Sequence, residues 1–125
     1  MDSRRLLLIY DSEIALAYSE SLLTDAGFEV RAVSSLQAFQ AVLADWKPHL
    51  IVTDLYMPEM NGAELVRWVR TGLNSDMPIV VITTMGEVKD RERGMELGAN
   101  GYLTKPVNQA ELIKTVCKYL GGYKF

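Results

Sequence analysis

Five short apolar runs rich in β-branched residues recur along the chain, and stretches in which apolar residues return every three or four positions separate them. That order fits βα units laid around a parallel sheet and little else. The runs are Leu6–Tyr10, Glu29–Val33, Leu50–Asp54, Ile79–Thr83 and Gly101–Thr104. The central three are nearly continuous in apolar residues, as strands covered by helices on both faces are, whereas a half-exposed antiparallel strand would alternate. An α/β fold with a parallel sheet is the expectation.

The helical stretches carry their own signals. Ala15, Tyr18, Leu22 and Ala26 are predicted to line one buried face, and Leu36, Phe39, Leu43 and Trp46 another. Ser34 with Gln37, Asn61 with Glu64, and Asn108 with Glu111 have the spacing of helix-start capping pairs. Gly27, Gly72 and Gly98 fall where helices should stop. The last helix carries Leu112, Ile113, Val116 and Leu120, and Cys117 beside them is read as structural. The fourth helix, about Glu87 to Leu97, is the least apolar, because Lys89 to Arg93 is a charge run that reads as a solvated face.

Length and charge remove several function classes. A chain of 125 residues can bury one core, so a single domain is expected over 1–125, with its core at about 5–121 and no output domain. The net charge of −3 offers no basic patch for nucleic acid or an anionic membrane. One cysteine cannot make an internal disulfide, and no apolar run is long enough to span a bilayer. Arg4 and Arg5 before Leu6 to Ile9 imitate a signal peptide, but the run breaks at Tyr10 and Asp11, and a cytoplasmic protein is expected.

In an open parallel α/β sheet, ligands bind beyond the carboxyl ends of the strands. The first run ends at Asp11, the third at Asp54, the fourth at Thr83, and the fifth at Lys105. Singly, each has a plain structural reading as a turn acid, a strand end or a surface charge. Jointly, two acids, a hydroxyl and a lysine at one rim suit phosphoryl transfer to a carboxylate. Carboxylates and a backbone carbonyl can hold Mg²⁺, Lys105 can neutralise the moving phosphoryl charge, and Asp54 can be the nucleophile that becomes an acyl phosphate. Thr83 could hydrogen-bond a phosphoryl oxygen.

The segment from Leu50 through Asp54 and Pro58 to Asn61 and Gly62 resembles the phosphoacceptor segment of response-regulator receiver domains. Pro78 to Thr83, Gly98 to Tyr102, and Lys105 with Pro106 follow in the family's order, so the likeness covers nearly the whole chain. It implies a flavodoxin-like fold with five helices and a doubly wound sheet in strand order 2-1-3-4-5. By position, Asp54 resembles the phosphoacceptor, Asp11 a metal-binding acid, Thr83 the switch hydroxyl, Lys105 the family's lysine and Tyr102 its switch aromatic. The Tyr56 carbonyl would be the third protein ligand to Mg²⁺, and Lys105–Pro106 a cis peptide bond. The implied donor is a phosphohistidine on a sensor histidine kinase or phosphotransfer protein. The implied output is a downstream domain or protein bound through the fourth helix, fifth strand and fifth helix, a face that could also form a phosphorylation-dependent homodimer. Such a chain is a signalling phosphoacceptor rather than an enzyme, assisting its own phosphorylation and slow dephosphorylation.

Three positions depart from the family's usual pattern. Where two adjacent acids normally follow the first strand, the first is Tyr10, and weaker Mg²⁺ binding is expected. Tyr56 and Met85 occupy the two positions that tune attack of water on the acyl phosphate; both are bulky, and a long-lived phosphorylated state is expected. A degenerate receiver that only binds partners is the alternative that Tyr10 raises. An aspartyl-phosphate phosphatase of the haloacid-dehalogenase kind would need an acid two residues after its nucleophile, where Tyr56 stands. A nucleotide site lacks a glycine-rich phosphate loop, and His49, at the start of the third strand, reads as structural.

Overall fold

A computed structural model of the chain describes residues 4–10, 12–54, 56–57, 60–73, 75–83, 98–104 and 107–120, with the backbone alone at 56–57, 60–63, 83 and 104. Its sheet strands are β1 (Arg5–Ile9), β2 (Glu29–Val33), β3 (Leu50–Asp54), β4 (Ile79–Thr83) and β5 (Gly101–Thr104). They run parallel in the order β2-β1-β3-β4-β5. This is the doubly wound arrangement that the sequence leads one to expect, with strand order reversing between β1 and β3. A small antiparallel hairpin pairs Tyr56–Met57 with Met60–Asn61 just after β3.

Helix α1 (Glu13–Asp25) starts where the Ser12 hydroxyl accepts a hydrogen bond from the Ala15 N–H, with Glu13 in its first turn. It stops before Gly27, whose φ of 104° is a left-handed conformation that glycine adopts without strain. Helix α2 (Leu36–Asp45) is capped by Ser35, not Ser34: the Ser35 hydroxyl accepts from the Ala38 N–H at 3.1 Å. Two consecutive serines leave that one-residue choice open until the extended backbone at Ser35 is seen. Helix α3 (Gly62–Arg67) widens into a π-turn over Trp68–Gly72, with the Leu73 N–H donating to the Trp68 carbonyl. The last described helix, Gln109–Tyr119, opens at Asn108, whose side chain accepts from the Glu111 N–H at 2.7 Å. Four helices are thus present among the described residues, and the predicted helix near Glu87 to Leu97 lies outside them.

Two cores sandwich the sheet. Leu6, Leu8, Val52, Val80 and Ile82 meet α1 and the helix Gln109–Tyr119 on one side. Leu7, Ile9, Ile51, Ile79 and Val81 meet α2 and α3 on the other. Alternate residues of one strand therefore feed both cores, which is why β1, β3 and β4 read as unbroken apolar runs. The edge strand β2 is only partly covered. The buried face of α1 is Leu16, Ser19 and Leu23, while Ala15, Leu22 and Ala26 flank it and Tyr18 is 54% exposed. The predicted stripe was rotated by one residue because a serine on an apolar face was not anticipated. On α2, Phe39 is fully buried and Leu43 packs beside it, whereas Leu36 is exposed; Trp46 is buried just past the helix end.

Candidate functional site at the carboxyl edge of the sheet

The ladder sets the strand ends side by side. Ile9 lies opposite Thr53, Asp54 opposite Ile82, and Thr83 opposite Thr104. Tyr10 just past β1, and Asp54, Thr83 and Thr104 at the ends of β3, β4 and β5, therefore follow one another along the carboxyl edge, and the reversal of strand order falls between Tyr10 and Asp54. Asp54 is the last residue of β3 and only 3% exposed. An acid in that position is uncommon, since burial disfavours its charged form unless partners compensate. Its own carbonyl accepts a hydrogen bond from the Thr53 hydroxyl at 3.1 Å, which secures the strand end.

Tyr10 is buried beside this edge and turns its hydroxyl away from solvent. The phenol donates to the Ser19 hydroxyl oxygen on α1 at 3.1 Å. Burial pushes its pKa up to about 12; the Ser19 bond pulls the other way, and the Asp54 charge adds a smaller upward push. Tyr10 therefore stays a neutral phenol around neutral pH and does not stand in for the missing carboxylate.

The remaining predicted residues are distributed as follows. Thr83 ends β4 one step past the residue opposite Asp54, with its backbone alone described. Tyr102 lies within β5 opposite Val81, half-buried against the core that contains Phe39. Tyr56 opens the hairpin two residues after Asp54, its backbone paired with Asn61. Asp11, Met85, Lys105 and the Lys105–Pro106 bond lie outside the described residues. Among the described residues, no group of three or more His, Cys, Asp or Glu side chains gathers to hold a metal.

His49 sits at the opposite end of the sheet. Its Nδ1 accepts from the Arg5 backbone N–H at 2.8 Å while the His49 backbone N–H donates to the Arg5 carbonyl at 2.7 Å, tying β1 to the start of β3. Desolvation, with Arg5 and Arg4 nearby, lowers its pKa and favours the neutral ring that this bond needs. Cys117 packs against the core, and burial raises its thiol pKa, away from reactivity.

Two elements were missed by the sequence reading. One is the Tyr10–Ser19 bond, whose only trace in the sequence is a serine at helical spacing from Leu16 and Leu23. The other is Arg70, which donates to the carbonyls of Gly98, Ser75 and Met77 and to the Asn100 side-chain oxygen. Nothing in the local sequence distinguishes Arg70 from a surface charge.

The model of the response regulator receiver domain matches residues 6–117. The chain is a receiver domain. The transcriptional regulatory protein GltR of Pseudomonas aeruginosa is 34% identical over 99% of this receiver domain and 52% of GltR. The transcriptional regulatory protein CusR of Escherichia coli K12 is 38% identical over 90% of it and 49% of CusR. The receiver domain thus spans about half the length of these curated relatives. Among solved structures, the chemotaxis response regulator CheY4 of Vibrio cholerae superimposes with a TM-score of 0.87 at 29% identity, over 94% of this chain and 99% of that one. Membership of this family makes the chain a response-regulator module of two-component signalling. No helix among its described residues is long and apolar enough to cross a membrane.

Proposed function

We propose that this receiver domain takes a phosphoryl group onto Asp54 from the phosphohistidine of a sensor histidine kinase or phosphotransfer protein. The observation that carries this reading is a carboxylate buried at the end of β3, beside the reversal of strand order, in a chain of the receiver family. In the transfer, an Asp54 carboxylate oxygen attacks phosphorus, the P–N bond of the donor breaks, and the imidazole leaves. The Asp54 and Asp11 carboxylates and the Tyr56 carbonyl are an all-oxygen set that suits a hard divalent ion, and they would hold Mg²⁺. When bound, Mg²⁺ would neutralise charge on the phosphoryl oxygens. Lys105 would share that task and Thr83 would hydrogen-bond a phosphoryl oxygen.

The added charge would shift the population of a switch that includes Thr83 and Tyr102. Downstream partners, or a second copy of the chain, would read the surface made by the fourth helix, fifth strand and fifth helix. The chain acts in this reading as a cytoplasmic phosphoacceptor without turnover of a free substrate.

Incubation with Mg²⁺ and acetyl phosphate, followed by intact mass measurement, tests the proposal. A gain of one phosphoryl group that is labile to base and absent in Asp54→Asn is expected. No gain in the wild type, with beryllofluoride also failing to perturb the protein, would overturn the reading and leave a degenerate receiver that binds partners without phosphate.

A further inference from the structure

A buried polar pair stands beside the proposed acceptor, and phosphoryl transfer as described makes no use of it. Tyr10 is 2% exposed and Ser19 7%, and their 3.1 Å hydrogen bond lies within a cluster otherwise built from side chains such as Leu8, Leu16, Leu23 and Val52. The bond joins the carboxyl end of β1 to the middle of α1.

Strand register brings this pair next to Asp54. With Leu8 opposite Val52 and Ile9 opposite Thr53, the next step along the two parallel strands sets Tyr10 opposite Asp54. Leu6, Leu8 and Tyr10 of one strand and Leu50 and Val52 of the other enter the same core. Alternation then puts Asp54 on that same face of the sheet. The effect of the Asp54 charge on the Tyr10 phenol agrees with this neighbourhood.

We propose that the hydrogen bond from Tyr10 to Ser19 carries a change of charge at Asp54 into helix α1. A negative charge at Asp54 disfavours loss of the phenol proton and so makes Tyr10 a weaker donor to Ser19. A more negative group weakens the bond to Ser19; a neutral one strengthens it. When released, the Ser19 hydroxyl can turn to the carbonyl four residues earlier, a bond that bends helices. The consequence for signalling rests on the acceptor reading, because phosphorylation would raise the charge there from one to about two. The coupling itself needs only a charged Asp54.

A double-mutant cycle tests it without any phosphodonor. Native-state amide exchange of Leu16 to Leu23 is measured in wild type, Asp54→Asn, Tyr10→Phe and the double variant, each rate referenced to β3 amides. That ratio removes any global change in stability. Asp54→Asn is expected to shift the referenced α1 exchange at least about threefold, beyond the roughly twofold scatter of independent sites, and to do so only when Tyr10 is present. Ser19→Ala in place of Tyr10→Phe should abolish the shift equally, and it carries the cycle if Tyr10→Phe fails to fold. Independent effects of the two substitutions, or no effect of Asp54→Asn on α1, would overturn the coupling. Coupling found in a protein that acetyl phosphate does not modify would leave this inference standing and sink the acceptor reading alone.

Discussion

Replacing Arg70 by methionine should destabilise the receiver domain by about 3 kcal/mol, and the structure supplies the reasoning. The guanidinium reaches the Gly98 carbonyl at 3.0 Å, the Met77 carbonyl at 2.6 Å, the Ser75 carbonyl at 3.2 Å and the Asn100 oxygen at 2.7 Å. It thereby ties the π-turn after α3 to the residues that lead into β4 and β5. Taken at about 1.5 kcal/mol each, the low end for hydrogen bonds from a charged donor, the four sum to about 6 kcal/mol when fully buried. Arg70 is only half-buried, so freed carbonyls regain water, and the Asn100 oxygen keeps its second donor, the Ile79 N–H at 3.0 Å. Halving that sum gives about 3 kcal/mol, which at a urea slope of ~1.5 kcal/mol per molar lowers the midpoint by roughly 2 M. Lysine keeps the charge but not the planar fork, so Arg70→Lys should recover less than half of the loss. Urea unfolding followed by circular dichroism reads both variants. A midpoint shift below about 0.3 M for Arg70→Met, or full recovery with lysine, would refute the reasoning.

Two further outcomes follow from the same structure. The folded pKa of His49 is lowered, so the unfolded chain binds the extra proton first: the stability due to the neutral ring is complete above the unfolded value of about 6.5, is lost as pH falls below it, and levels off below the folded pKa. Unfolding midpoints measured across that range should fall with decreasing pH, and His49→Phe should flatten the dependence while lowering stability at neutral pH. At the proposed acceptor site, Tyr56 and Met85 should shield the acyl phosphate; replacing Tyr56 by asparagine should shorten its lifetime severalfold in a phosphate-release assay, and an unchanged lifetime would remove Tyr56 from that role.

The parts of the fold legible in the sequence are those with a local period. β2, β3, β4 and β5 fall on the predicted residues, and β1 is displaced by one; β1, β3 and β4 were legible because a strand buried on both faces is apolar at nearly every position, and the half-covered β2 because its apolar residues alternate with Glu29 and Arg31. Helix rotation was less legible. The stripe on α1 was read one residue off, since the apolar pattern admits neighbouring solutions and the polar Ser19 hid the true one. The edge position of Asp54 was readable because strand ends and a parallel sheet together imply one rim. The partners of Tyr10 and Arg70 were not, because their bonds span 9 and up to 30 residues and no periodicity reports them.

By itself, then, the sequence determined the parallel sheet, its strand order through family likeness, and the acid that ends β3. Those follow from hydrophobic burial and from motifs read along the chain. The tertiary structure alone decided that Tyr10 is a neutral, buried donor to Ser19, not a substitute ligand, and that Arg70 braces two strand approaches from a neighbouring helix. The physical reason is that a polar group's role depends on which partner compensates its lost water, and that partner is chosen by packing in three dimensions.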